Sequence, residues 1–155
     1  MKNLLPFLFC LFSFCSIAQV NTVMPPEANT FYSKAMANIK PQIKNIVEKN
    51  AGVLKGRTIN ADSLSKALIK NQLLKNATPQ DIEAIGVLIM VQASKNADAD
   101  LKDLVINMNK NEREKNAPDN KVESILENKS KIAENVSILM KRISGTQDVV
   151  INNLR

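Results

Sequence analysis

The chain has 155 residues, Lys+Arg 21 against Asp+Glu 15, a net charge of +6, and no histidine or tryptophan. Both cysteines, Cys10 and Cys15, and all phenylalanines but Phe31 precede Gln19. From Gln19 onward there is thus no Cys-His or Ser-His-Asp nucleophile, no disulfide, and neither of the side chains that dominate zinc and axial haem sites.

In chain order, MKNLLPFLFCLFSFCSIAQVN places the charge of Lys2 before an apolar run over 4–17. The triplet Ser16-Ile17-Ala18 follows, small at its first and third places, which is the pattern of a secretory leader. The run is shorter than the roughly 20 apolar residues that a spanning helix needs. A bulky phenylalanine stands before each cysteine, where lipid attachment favours a small residue. The expectation is a leader over 1–18 cleaved after Ala18, and a single helical domain over 19–155 with no membrane span. The protein would be bacterial and secreted or periplasmic.

Pro25-Pro26, followed by Glu27, suits a helix start. Met36, Ile39, Ile43 and Ile46 recur at helical spacing and keep phase across Pro41. This predicts one helix, kinked at Pro41 and ending at Gly52. Residues 60–77 read as a second, short helix capped by Asn60 or Asp62, with Leu64 and Leu68 inward and Ile69 and Leu73 as further inward candidates.

Thr78-Pro79-x-Asp81 is a helix start with a capping hydroxyl, a first-turn proline and an acid near the positive end of the dipole. AIGVLIMV, beginning at Ala84, is apolar all round and predicts a segment buried on most sides. Ala93, Ala97, Leu101, Val105 and Met108 carry one face onward, and Asp98 with Lys102 forms an i,i+4 pair. These residues predict one long helix over 79–115, with a break near Asn96 as the alternative.

NAPDN is a turn. Val122, Ile125, Lys129, Ile132, Val136, Leu139 and Ile143 then form a coiled-coil-like seam with one polar member, Lys129, for which Glu127 or Glu134 is a candidate partner. Gly145 either caps this helix or is passed through, with Val150 and Leu154 in phase beyond it. The predicted fold class is all-α: an elongated bundle of about four helices, the last two forming a long antiparallel hairpin.

No motif names a reaction. Ser63 to Lys66 matches the Ser-x-x-Lys of penicillin-binding enzymes, in which the lysine activates the serine, but no Lys-Thr-Gly or Ser-Asp-Asn accompanies it. Asp98, Asp100 and Asp103 lack the glycine and terminal glutamate of a calcium loop. Asp62-Ser63-Leu64 and the sequons at Asn76, Asn128 and Asn135 are short glycosylation patterns of low specificity. Beyond the leader Phe31 and Tyr32 are the only aromatics, and acids intersperse the runs at 109–115, which argues against nucleic acid.

The sequence therefore predicts no catalytic, cofactor-binding or metal-ligating residue and no cofactor. It predicts an exported, non-catalytic helical protein that binds a protein or anionic envelope partner through a helical surface, with self-association as a further option. The alternative is a small-ligand or lipid carrier whose apolar cavity is lined by Ile89, Met90, Val105 and Met108.

Overall fold

The computed structural model describes residues 23–54, 57, 59–110 and 118–155. Among these residues the chain forms α1 (Pro26–Met36), α2 (Pro41–Val53), α3 (Ala61–Ile69), a 3-10 turn (Gln72–Leu74), α4 (Pro79–Lys110), α5 (Pro118–Arg142) and α6 (Gln147–Leu154), with no strand. The all-α class holds, with six helices in place of four. The expected leader and the expected end of the long helix over 111–115 lie outside the described residues.

Two residues account for the additional helices. At Pro41 the expected kink is a full break. Proline removes a backbone donor and pushes the residue before it out of the helical region. Lys40 accordingly sits at φ −53 and ψ 140, and Pro41 opens α2 as its first residue. The stripe nevertheless survives, because Ile39 and Ile46 are buried on either side of the break. At the other end Gly145 adopts φ 81, a conformation that costs glycine little. It ends α5 and lets α6 turn back. The end of α6 reaches the first break: the Lys40 backbone N–H, outside any helix ladder, donates to the Leu154 carbonyl at 2.9 Å.

The second predicted helix is also shorter than expected. Asn60 caps α3, its side-chain oxygen accepting from the Ser63 N–H at 2.7 Å. Asn71 then interrupts the helix, its side chain accepting from the Leu73 N–H at 3.0 Å and its carbonyl from the Leu74 N–H at 2.9 Å. This tight turn directs Leu74 into the core and leaves Leu73 outside. Leu64 and Leu68 are buried as expected, whereas Ile69 and Leu73 are exposed.

α4 packs against each of the other five helices. Its start is a reciprocal cap: the Asp81 N–H donates to Thr78 Oγ1 at 3.1 Å and the Thr78 N–H to Asp81 Oδ2 at 2.9 Å. From Ala84 to Val91 every side chain is buried, each large one contributing about 1.5–3 kcal/mol relative to exposure. A Cβ built on Gly86 would lie 3.1 Å from Leu139 and 3.7 Å from Leu64, so this glycine lets α3 and α5 close on α4. Buried hydrophobic residues from all six helices form one cluster, aliphatic but for Phe31.

Candidate interaction surface

Three pairs of residues fix how α4 and α5 meet. Arg142 reaches Glu83 at 3.5 Å, Leu139 faces Gly86, and Lys129 is paired with Asp98. Numbers fall along α4 as they rise along α5, so these stretches run in opposite directions. Arg142 also donates to Asp62 at 2.8 Å, which ties α3 to the same end.

Burial along the pair changes abruptly. In α4 it continues to Ser94, and in α5 it begins at Ile132. Beyond those points, over 95–107 and 120–131, no described residue is buried. The register places Ser94 level with Ile132, so burial ends at the same height on both helices. The outer halves of α4 and α5 extend past the four shorter helices, and we refer to them as the arm.

The arm keeps an apolar seam in which no described residue is buried. Ala97, Leu101, Leu104, Val122 and Ile125 are half-buried, and Val105, Ile106 and Leu126 are exposed. The expected face of α4 needs one correction. Ala93, Ala97 and Leu101 do turn toward α5, but Leu104 takes the next place and Val105 points out at 52% exposure. Three successive steps of four residues rotate a side chain by about 120° around a helix of 3.6 residues per turn. A face read only at i+4 therefore drifts off its partner.

Lys129 occupies its predicted place in the seam and is 17% exposed. Its partner is neither Glu127 nor Glu134 but Asp98 of α4. Glu127 instead accepts from Lys131 at 2.5 Å, and this hydrogen bond holds its carboxyl below the usual range. The expected Asp98–Lys102 pair gives way to a contact between the two helices. Beside Lys129, the side-chain oxygen of Asn128 is buried without a hydrogen-bond partner. An unmet acceptor of this kind weakens the packing around it.

A polar contact marks the root of the arm. The Tyr32 hydroxyl of α1 donates to Gln92 Oε1, Gln92 Nε2 donates to Asn96 Oδ1 at 2.9 Å, and Lys95 Nζ lies 4.9 Å from the Tyr32 ring centroid. Burial, with a smaller contribution from Glu48, raises the Tyr32 hydroxyl above its ordinary pKa. α1 thus grips α4 where the core ends.

The other sequence-derived candidates are dispersed. Ser63 and Lys66 are exposed on α3 and line neither of the grooves described here. Asp98 is engaged by Lys129. Among the described residues no group of three or more His, Cys, Asp or Glu could hold a metal ion. Of the sequon asparagines, Asn76 is exposed, while Asn135 accepts from the Ala61 N–H at 2.7 Å and joins α5 to α3. Ile89 and Met90 are fully buried in the closed core and Val105 is exposed on the arm, so no common cavity brings them together. The side chain of Met108 lies outside the described residues.

Two open grooves are present, the first reaching the root of the arm at Ser130. One, of about 530 Å³, lies between residues 23–27 and the face of α5 carrying Ser130, Ala133 and Ser137. The other, of about 640 Å³, lies between the start of α2, the 3-10 turn and the end of α6. Sequence reasoning missed the second groove because its lining comes from three distant segments.

No family model, curated protein or solved structure matches the chain significantly. Among the described residues no helix is long and apolar enough to cross a membrane.

Proposed function

We propose that this is an exported, non-catalytic helical protein, secreted or periplasmic, that binds a protein partner through the arm formed by the outer halves of α4 and α5. In this reading the two helices form one long antiparallel hairpin. Its inner half belongs to the core and its outer half is the contact surface.

The observation that carries the proposal is this apolar seam, in which no described residue is buried. Leu101, Leu104, Val122 and Ile125 are spaced as a core would be, and Val105, Ile106 and Leu126 extend that apolar character outward. An amphipathic helical surface of this kind suits packing against another helix. Charge supports a protein partner. Over 95–110 and 118–131 six lysines offset six acids, so the arm is neutral while the rest of the chain carries the excess of positive charge. A neutral, mixed-sign surface discriminates partners by shape and register more than by long-range attraction.

Photo-crosslinking from the arm tests the proposal. A benzophenone side chain in place of Ile106 or Leu126 should give one discrete cross-linked species, the same from both positions. It should be lost when Val105→Glu is added, and absent when the probe replaces the exposed Lys66 on α3. Equal labelling from the arm and from α3 would contradict a dedicated surface.

A further inference from the structure

The groove between α2, the 3-10 turn and α6 has an unusual rim. Leu73 is 69% exposed on it, and Ile69, one helical turn earlier in sequence, is 64% exposed. Neither is loose. Leu73 is held outward by the Asn71 cap that buries Leu74, and Ile69 closes α3 opposite its buried stripe. Inside the rim lie Ile43, Leu74, Ile85 and Leu154.

Lysines stand beside these two side chains in the sequence and across the groove. Residues 28–47 and 63–80, the stretches that supply α2's start and the rim, contain six lysines and no acid. Lys40 lines the groove, Lys44 lies one turn further along α2, and Lys70 and Lys75 flank the turn; all four are exposed. The acid that lines the groove is Asp81, and both its oxygens are engaged. Oδ2 accepts from the Thr78 N–H at 2.9 Å and Oδ1 from Asn153 Nδ2 at 3.1 Å. The Lys40 ammonium is tethered to the Asn153 carbonyl at 3.2 Å. The hydrogen-bonding capacity of Asp81 is thus taken up within the fold. Leu73 on the rim and Ile69 before it are exposed, with lysines at neighbouring positions of the chain and Lys40 across the groove.

We infer that this rim is a membrane-surface contact: Ile69 and Leu73 enter the headgroup boundary of an anionic bilayer while Lys40, Lys44, Lys70 and Lys75 meet its phosphates. Apolar insertion backed by lysines is what holds a peripheral protein on such a surface, and each lysine close to it strengthens binding about fivefold. The contact uses residues remote in sequence from the arm, so either assignment can fail without the other. Together they would leave the arm free while the opposite pole is held at a lipid surface.

Sedimentation of the purified full chain with lipid vesicles tests this. Binding to phosphatidylcholine vesicles containing phosphatidylglycerol should exceed binding to phosphatidylcholine alone and weaken as salt rises. Leu73→Glu should reduce it about tenfold, and Lys70→Glu with Lys75→Glu by about thirtyfold or more. Lys102→Glu with Lys121→Glu, the same charge change on the arm, should leave it within about twofold. Equal binding to neutral and anionic vesicles would assign the effect to the apolar N-terminal stretch and overturn the inference. So would an equal loss from the arm variant, which would reduce the effect to net charge. Retention on polyglutamate without retention on anionic vesicles would give the same lysines to an acidic protein and overturn the lipid assignment.

Discussion

The inner and outer halves of α4 and α5 are built from the same kinds of residue and differ in what lies over them. The inner half carries Ile85, Leu88, Ile89 and Leu139, all at 0% exposure. The outer half carries Leu101, Leu104, Val122 and Ile125 at matching seam positions, and none is buried. Two helices facing each other cover one stripe on each. Only a third layer, here α1, α2, α3 and α6, excludes water from the remaining sides. Burial in this molecule is thus a property of neighbours more than of the apolar pattern itself.

Equal substitutions in the two halves should show the largest difference. Leu88→Ala should cost about 3 kcal/mol, because it removes buried methyl groups and leaves a cavity in a closed core. Leu104→Ala should cost at most about 1 kcal/mol, since water can fill the space it leaves. Urea denaturation of the two variants gives both numbers, and similar losses would mean that the arm is covered.

The next effect tests how the inner half is anchored. Asp81→Ala removes the reciprocal cap of α4 and the acceptor for Asn153. A loss of about 2 kcal/mol is expected from the cap and the stranded donors together. A loss below about 0.5 kcal/mol would show that α4 starts equally well without it.

Lys129 tests whether the seam of the arm is incomplete by design. Lys129→Leu should raise stability by about 0.5 kcal/mol. Added apolar burial contributes about 1 kcal/mol, offset by loss of the partly exposed pair with Asp98. It should also promote self-association, because the seam becomes continuous. Denaturation and light scattering would read both effects. A gain in stability without association would mark the seam as internal packing and weaken the case for a contact surface.

The smallest effect concerns Glu127. Its carboxyl is held low by Lys131, so its contribution is fully present above the ordinary carboxylate range. That contribution is lost as pH falls through the lowered value. The carboxyl is exposed and screened by salt, and Glu127→Gln should leave the urea midpoint at neutral pH unchanged. A clear drop at neutral pH would mean that this pair braces the arm.

Local pattern made much of the fold legible. The run from Ala84 predicted a helix segment buried on most sides, and the spacing from Val122 to Ile143 predicted the face that α5 turns inward. The starts at Pro26 and Pro79 followed from proline and capping chemistry. The breaks were harder to read. Met36, Ile39, Ile43 and Ile46 stay in phase through Pro41 because both resulting helices pack on the same core, so periodicity concealed the interruption. Asn71 stops α3 through a side-chain cap that competes with the helix ladder, an outcome that apolar spacing does not register.

The candidate surface was legible in part. Ala97, Leu101, Val122 and Ile125 stand on the predicted faces, and Lys129 stood out as the polar member of the seam, but its partner Asp98 lies 31 positions away. The point where burial stops depends on where four other helices end, and no local pattern encodes that. The rim at Ile69 and Leu73 was hidden for the opposite reason, since both leucine-like side chains suit an inward reading until the turn at Asn71 is seen.

Amide hydrogen exchange on the purified chain tests the contrast between the two halves most directly. Residues 82–93 and 132–143 should exchange only through global unfolding, while 97–107 and 120–128 should exchange through local opening that is orders of magnitude faster. Uniform protection along both helices would contradict the account, because it would mean that the arm is covered and has no free face to offer.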